Sequence, residues 1–276
     1  MTSPHVVLPE KTLFDVLRDV WRSKFYMAFF AVIALISAFV FLSFAQKFYR
    51  ADMLIAPATP MGQGMQVSSR VGESSIQVQH ENLQSTAAFI RFEAIYDGMS
   101  VASVLIQDKE ILAAINFDRT FEFSKSHTDW SAEKLSEYLK RRVRLEPVSG
   151  TPLRRLTYLH PNKDFATYMI ARIHRVSDEI IRRRILRDAN GRIAYLNNAL
   201  ATTINPDHRR NLTALLIEQE RLKMLVSLDQ PYAAMIIERP FVSSKPRWPD
   251  LYIIYAVFLF VGLLFGFIVY GLRHHE

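Results

Sequence analysis

FYMAFFAVIALISAFVFLSFA, residues 25–45, and LYIIYAVFLFVGLLFGFIVYGL, residues 251–272, are the stretches that decide how this chain is organised. Neither contains a charged residue, and each has about the twenty-residue length a helix needs to cross ~30 Å of hydrocarbon. Between them, residues 46–250 have the composition of a water-soluble domain. Outside them stand residues 1–24 and the tail Arg273-His274-His275-Glu276. The expectation is a large domain tethered at both ends to one face of a bilayer, with little chain on the other face.

Charge alone does not orient this arrangement. Lys11, Arg18, Arg22, Lys24 and Arg273 flank the spans on one side, and Lys47, Arg50, Arg239, Lys245 and Arg247 match them on the other. Long domains translocate despite their charge. The first span, early and uncharged, reads as a signal-anchor, which puts residues 1–24 and 273–276 in the cytoplasm and residues 46–250 in the periplasm. Ser43-Phe44-Ala45 loosely matches a signal-peptidase site, but the apolar run and its N-terminal flank are longer than a cleaved signal has.

Cysteine is absent, which excludes disulfides and thiolate metal sites and leans toward a bacterial periplasmic domain. The formal charge of +7 suits either simple solubility or an acidic glycan or lipid-linked carrier.

Past the first span, Tyr49–Ala56 reads as a strand, although Leu54 breaks its alternation. Pro57 to Gln84 holds no aromatic residue and several glycines and serines, and is expected to be a long loop. Ser85 then caps a helical stretch bearing Phe89, Phe92 and Ile95, broken near Gly98. One further helical stretch is expected to carry Val101, Leu105, Ile111, Leu112 and Ile115. Asp129–Arg142 reads as a helix. Val143–Val148 and Leu156–Leu159, separated by Ser149-Gly150-Thr151-Pro152, read as a hairpin.

The longest element is predicted from Asp164 to Ile204, which would reach ~60 Å if unbroken. Met169, Ile173, Val176 and Ile180 form one apolar stripe. Ile185, Ala189, Ile193, Leu196 and Leu200 form a second on roughly the opposite face. One reading is a break at Asn190-Gly191. The other is a helix whose first half packs on its own domain while the second stripe is a subunit interface. Arg183, Arg184 and Arg187 continue the first face and are the candidate contacts for an acidic glycan or lipid-linked carrier. Asn205-Pro206-Asp207 restarts a helix with a side-chain cap, proline in the first turn and an acid there. Tyr232–Ile237 is a β-prone run leading back to the membrane, and pairing it with the Tyr49 strand would join both chain ends in one membrane-proximal sheet. The fold class is therefore α+β.

Pro240, Pro246 and Pro249 suggest a stiff extended connector, one that neither helix nor sheet absorbs. Gly262 and Gly266, four apart in the second span, would let another helix approach closely.

Catalytic signatures are missing. No phosphate-binding Gly-Lys loop occurs, His80, His127, His160, His174 and His208 lack metal-ligand spacing, and no serine sits in a nucleophile elbow. His174 shows no obvious carboxylate to orient it. No enzyme activity, cofactor, metal or nucleic-acid partner is expected.

Taken in order, several features resemble the bacterial polysaccharide co-polymerases, the Wzz-type chain-length determinants. These are the two spans, the Tyr49-Arg50-Ala51 strand, Val143–Thr151, Pro161-Asn162-Lys163-Asp164-Phe165-Ala166, Leu215–Leu225 with Tyr232, and the three prolines before the glycine-bearing span. The resemblance implies a homo-oligomer of the inner membrane with a periplasmic α+β base and long helices. It would set the modal length of an O-antigen or exopolysaccharide made by a separate membrane polymerase on a lipid-linked carrier. A capsule-export adaptor is the alternative. A two-span sensor would need a cytoplasmic output module that four residues cannot supply, and a channel would want polar pore-lining residues.

Overall fold

The computed structural model describes residue 21 and residues 23–58, 86–118 and 129–274. The expectations for the first twenty residues, for the Ser85 cap and for the loop after Ala58 lie outside the described residues. In chain order the elements are α1 (Lys24–Phe44), β1 (Tyr49–Pro57), α2 (Met99–Leu105), α3 (Lys109–Ile115), α4 (Ala132–Arg142), β2 (Val143–Pro147), β3 (Arg154–His160), α5 (Lys163–Thr202), α6 (Pro206–Ser227), β4 (Ala234–Val242) and α7 (Leu251–His274). Residues 86–95 are also helical. The chain divides into two compact units, one holding α1 and α7 and the other running from Phe48 to Pro246.

In the first unit, α1 and α7 are long and apolar enough to cross a membrane, and little of either is buried within the chain. Core helices of soluble proteins hide such surface, whereas these leave theirs uncovered, as membrane-spanning helices do. They pack antiparallel on each other, Tyr26 meeting Tyr270, Phe30 meeting Phe265 and Phe41 meeting Phe258. Glycine sets the approach. A Cβ on Gly262 would sit 2.7 Å from the Ala34 Cβ, and one on Gly266 2.7 Å from the Met27 Cα. The small-residue pair of the second span therefore receives the backbone of this chain's own first span.

The second unit is built on a four-stranded antiparallel sheet in the order β2-β3-β1-β4. The strands that follow the first span and precede the second are neighbours, the economical topology expected from sequence. Gly150, at φ 75°, turns the β2–β3 connection in a conformation that a side chain would strain. Ala51, Met53 and Ile55 alternate inward along β1 and are wholly buried, so Leu54 lies on the other face.

Pro240 departs from expectation, because it lies inside β4. Asp52 pairs with Phe241 and Leu54 with Glu238, so Arg239 and Pro240 together oppose Met53 in a bulge. β4 is an edge strand, and at an edge bulge the missing proline N–H costs no ladder bond. Pro246 and Pro249 lie between β4 and α7.

Another departure is the single helix expected across Val101–Ile115. The Asp108 side chain accepts from the amides of Glu110 and Ile111 and starts a new helix, so α2 and α3 are separate.

Helix α5 runs unbroken for 40 residues, capped by the Asn162 side chain on the amides of Asp164 and Phe165. Gly191 lies within it without breaking it. Ala166, Met169, Ile170 and Ile173 seat its first half in the core with Leu156 and Tyr158 of β3. Its second half packs along α6, with which it forms a helical hairpin. Asn205 caps the start of α6, while Arg209 donates to Leu200 O and Thr203 O at the end of α5.

This hairpin corrects the reading of the second stripe. Ile185, Ala189, Ile193 and Leu196 are 8%, 1%, 8% and 7% exposed in the single chain, and Leu200 is half-buried. In the single chain the first four are covered, and Leu200 at the end of the helix keeps part of its surface in solvent.

The glycine contacts generate a test. Gly266→Leu should force α1 and α7 apart and destabilise the pair by about 1–3 kcal/mol. Gly271→Leu, where a Cβ meets nothing within 4 Å, should be tolerated. Thermal unfolding of the full chain in detergent reads both, and equal stability of the two variants would contradict the close packing.

Candidate functional site

The described polar chemistry gathers along one side of α5 and around the end of β3. On α5, His174, Asp178 and Arg182 follow one another at four-residue steps, which places them on one face. That face meets the chain between α6 and β4, where backbone amides and carbonyls have left a helix and not yet entered the sheet. His174 Nε2 donates to Ala234 O at 2.7 Å. Asp178 Oδ1 accepts from Tyr232 N at 2.9 Å and Ala233 N at 2.7 Å. Arg182 Nε donates to Val226 O at 3.0 Å, and its Nη2 donates to Leu228 O. A guanidinium at these carbonyls also suits the negative end of the α6 dipole.

Burial sets the protonation of this row. It pushes His174 below the usual imidazole range, against the opposing effects of the Ala234 carbonyl and the Asp178 charge. The ring is therefore neutral, with its proton on Nε2. Burial also pushes the Asp178 carboxyl upward, opposed chiefly by the Ala233 amide and by His174. The carboxylate that seemed missing for His174 is thus one helical turn away, and it spends its lone pairs on backbone amides.

A second cluster sits where α4 crosses β3. Tyr138 Oη donates to Asp118 Oδ2 at 2.6 Å, so Tyr158 Oη, 2.8 Å from Tyr138 Oη, donates to Tyr138. Arg142 completes the cluster with an ion pair to Asp118 Oδ1 at 2.6 Å, and its guanidinium lies over the Phe48 ring. Burial raises both tyrosines well above the ordinary phenol range, so both stay protonated hydroxyls. His160 Nδ1 accepts from Asn162 N, and its Nε2 faces Ala114 O at 3.2 Å. Burial holds this imidazole below its usual range as well, although the Asp118 charge opposes it. Every proton in the cluster is committed to a neighbour, and no nucleophile stands beside a free base. The arrangement ties α4, β3 and the chain after α3 together.

The three arginines singled out on α5 are exposed: Arg183 is ion-paired with Glu179, and Arg184 and Arg187 point away from the core. Arg183 also borders a cavity of about 530 Å³ shared with Arg175, Glu179 and Val226. Among the described residues no group of three His, Asp or Glu side chains could hold a metal. Sequence reading missed the Asp118–Tyr138–Tyr158 cluster, whose members are far apart in the chain. It also missed the role of Asp178, whose four-residue spacing from His174 was the available signal.

Residues 10–94 match the family model for Wzz, the chain length determinant protein. That region includes the first span, β1 and most of helix 86–95, so the chain carries a Wzz-type N-terminal region. No curated protein matches the sequence. Among solved structures, a full-length bacterial polysaccharide co-polymerase aligns over 96% of this chain and 98% of its own, at 14% identity and a TM-score of 0.44.

Two outcomes follow from the polar groups. Asp178→Ala leaves two buried amides without an acceptor, at a cost of about 1–3 kcal/mol. Amide exchange at Tyr232 and Ala233 should rise accordingly, and unchanged protection would contradict the role assigned to Asp178. For pH, His160 and His174 bind protons more readily in the unfolded chain, so their contribution is present above about pH 6.5 and is lost as pH falls below it. Asp178 acts with the opposite sign, at pH values above the ordinary carboxylate range. Thermal midpoints should therefore drop between about pH 6.5 and 5, and the drop should shrink in a His160→Gln, His174→Gln double variant relative to its own neutral-pH midpoint.

Proposed function

We propose that this protein is a non-enzymatic regulator of polysaccharide chain length in the bacterial inner membrane, acting as an oligomeric co-polymerase beside a separate membrane polymerase. The match of residues 10–94 to the Wzz family model carries this reading. The two apolar helices support it, because they fit a domain held to the membrane at both ends. In this reading residues 46–250 are periplasmic, residues 1–24 and 273–276 are cytoplasmic, and the polymer is an O-antigen or exopolysaccharide growing on a lipid-linked carrier.

Regulation of length without chemistry needs a scaffold that holds geometry, and the His174–Asp178–Arg182 row and the Asp118–Tyr138–Tyr158 cluster are spent on holding it. Partner contacts then fall to what the hairpin leaves exposed. Arg183, Arg184 and Arg187 offer positive charge to an acidic glycan or a carrier pyrophosphate. Tyr195, Ile217 and Met224 are large apolar side chains left in solvent on α5 and α6, and self-association through them replaces the buried stripe as the expected subunit contact.

The test is the length distribution of surface polysaccharide on a gel. Deleting the gene should replace a modal length by an unregulated distribution, and the intact gene on a plasmid should restore it. An unchanged profile in the deletion would overturn the regulator reading, and loss of all surface polymer would place the protein in export instead.

A further inference from the structure

Two covalent links join the soluble unit to the spans, residues 45–48 after α1 and residues 243–250 between β4 and α7. The sheet gives these links little hold on each other. The last residues that pair β1 with β4 at this end are Ala51 and Val242. Past them, among the described residues, one long backbone bond continues the pairing: Ser243 N donates to Arg50 O at 3.4 Å. Tyr49 is paired on its other side, with His160 of β3, and Ser244 lies beyond the end of β4.

Lys163, the first residue of α5, fills that gap. Its Nζ lies over the Tyr49 ring, 4.4 Å from the centroid, and donates to Ser244 O at 3.3 Å. One ammonium thus grips the incoming and the outgoing chain together. Charge strengthens both contacts, the first through the ring quadrupole and the second through the carbonyl dipole. This lysine does not serve its own helix. A cation in the first turn opposes the helix dipole, and the Asn162 side chain already caps α5. The incoming chain has a second anchor, because the Arg142 guanidinium lies 4.8 Å from the centroid of the Phe48 ring and is itself fixed by Asp118. For the outgoing chain at Ser244, Lys163 is the holding side chain.

We infer that Lys163 is a positioning residue, a charged clasp that holds the two links together where the soluble unit begins and ends, and that length control depends on it. The clasp stands on the contacts of Lys163 alone. Its bearing on polymer length rests on the chain-length reading.

Amide exchange of the full chain in lipid nanodiscs reads the clasp at Ser243, the donor of the last backbone bond. Lys163→Met should speed exchange there about fivefold. Lys163→Arg, which keeps a cation over the ring, should stay within about twofold of the parent. Tyr49→Leu should speed it as well, and should add less in the Lys163→Met background than it does alone. Lys134→Met, which removes a lysine–carbonyl bond on α4, should leave Ser243 unchanged. Exchange that Lys163→Met leaves unaltered overturns the clasp, as do fully additive effects of the Lys163 and Tyr49 substitutions. Polymer gels of the deletion strain carrying each variant, at equal protein level in the membrane, read the rest. Lys163→Met should shift or broaden the modal length, and Lys163→Arg should restore it. Faster exchange at Ser243 with an unchanged polymer profile overturns the dependence of length control on the clasp. An unaltered profile in the deletion itself would sink the chain-length reading instead, with the exchange results still deciding the clasp.

Discussion

Helix α5 must bury apolar surface along 40 residues against two different partners, and much of the soluble unit is arranged around that constraint. Apolar residues spaced by four overrun a full turn by about 40° at each step. From Ile181 through Ile185 and Ala189 to Ile193 the buried face therefore winds steadily around the helix. The first half faces the sheet, and the second half has turned far enough to need another cover. α6 supplies that cover by folding straight back through a three-residue connection with its own asparagine cap. Without α6, the second stripe would stand in water.

The same helix solves the problem of the chain's return. Between α6 and β4 the chain goes from exposed to buried at Tyr232 and Ala233 before it has a strand partner, a situation that normally costs free energy. The row His174, Asp178 and Arg182 meets it, one group per turn, with a donor, a double acceptor and a second donor. Because burial keeps His174 neutral, this junction loses stability as pH falls below the ordinary imidazole range, as does the His160 site at the end of β3. The junction also fixes where β4 enters beside β1, which in turn sets where the chain leaves the sheet toward the second span.

These features suit a scaffold better than a catalyst. The buried tyrosines and histidines have their protons committed, and the exposed arginines and apolar side chains of the hairpin lie on its outside.

Much of this was legible in the amino-acid sequence. The spans follow from uncharged length, the caps of α5 and α6 from Asn162 and Asn205, and the hairpin from a Gly-Pro turn between β-prone runs. The neighbourhood of β1 and β4 followed from where each meets a span. These are local or terminal signals, and their physics acts within a few residues. Who covers the second stripe of α5 was not local: periodicity shows that a face is apolar, but not whether a subunit or the next helix buries it. Pro240 entered the strand because an edge bulge removed the hydrogen bond it could not make. Asp118, Tyr138 and Tyr158 became one cluster only through contacts between distant segments. Composition and spacing determined which surfaces must be hidden, and tertiary packing alone decided what hides them, because burial depends on distances that the order of residues does not contain.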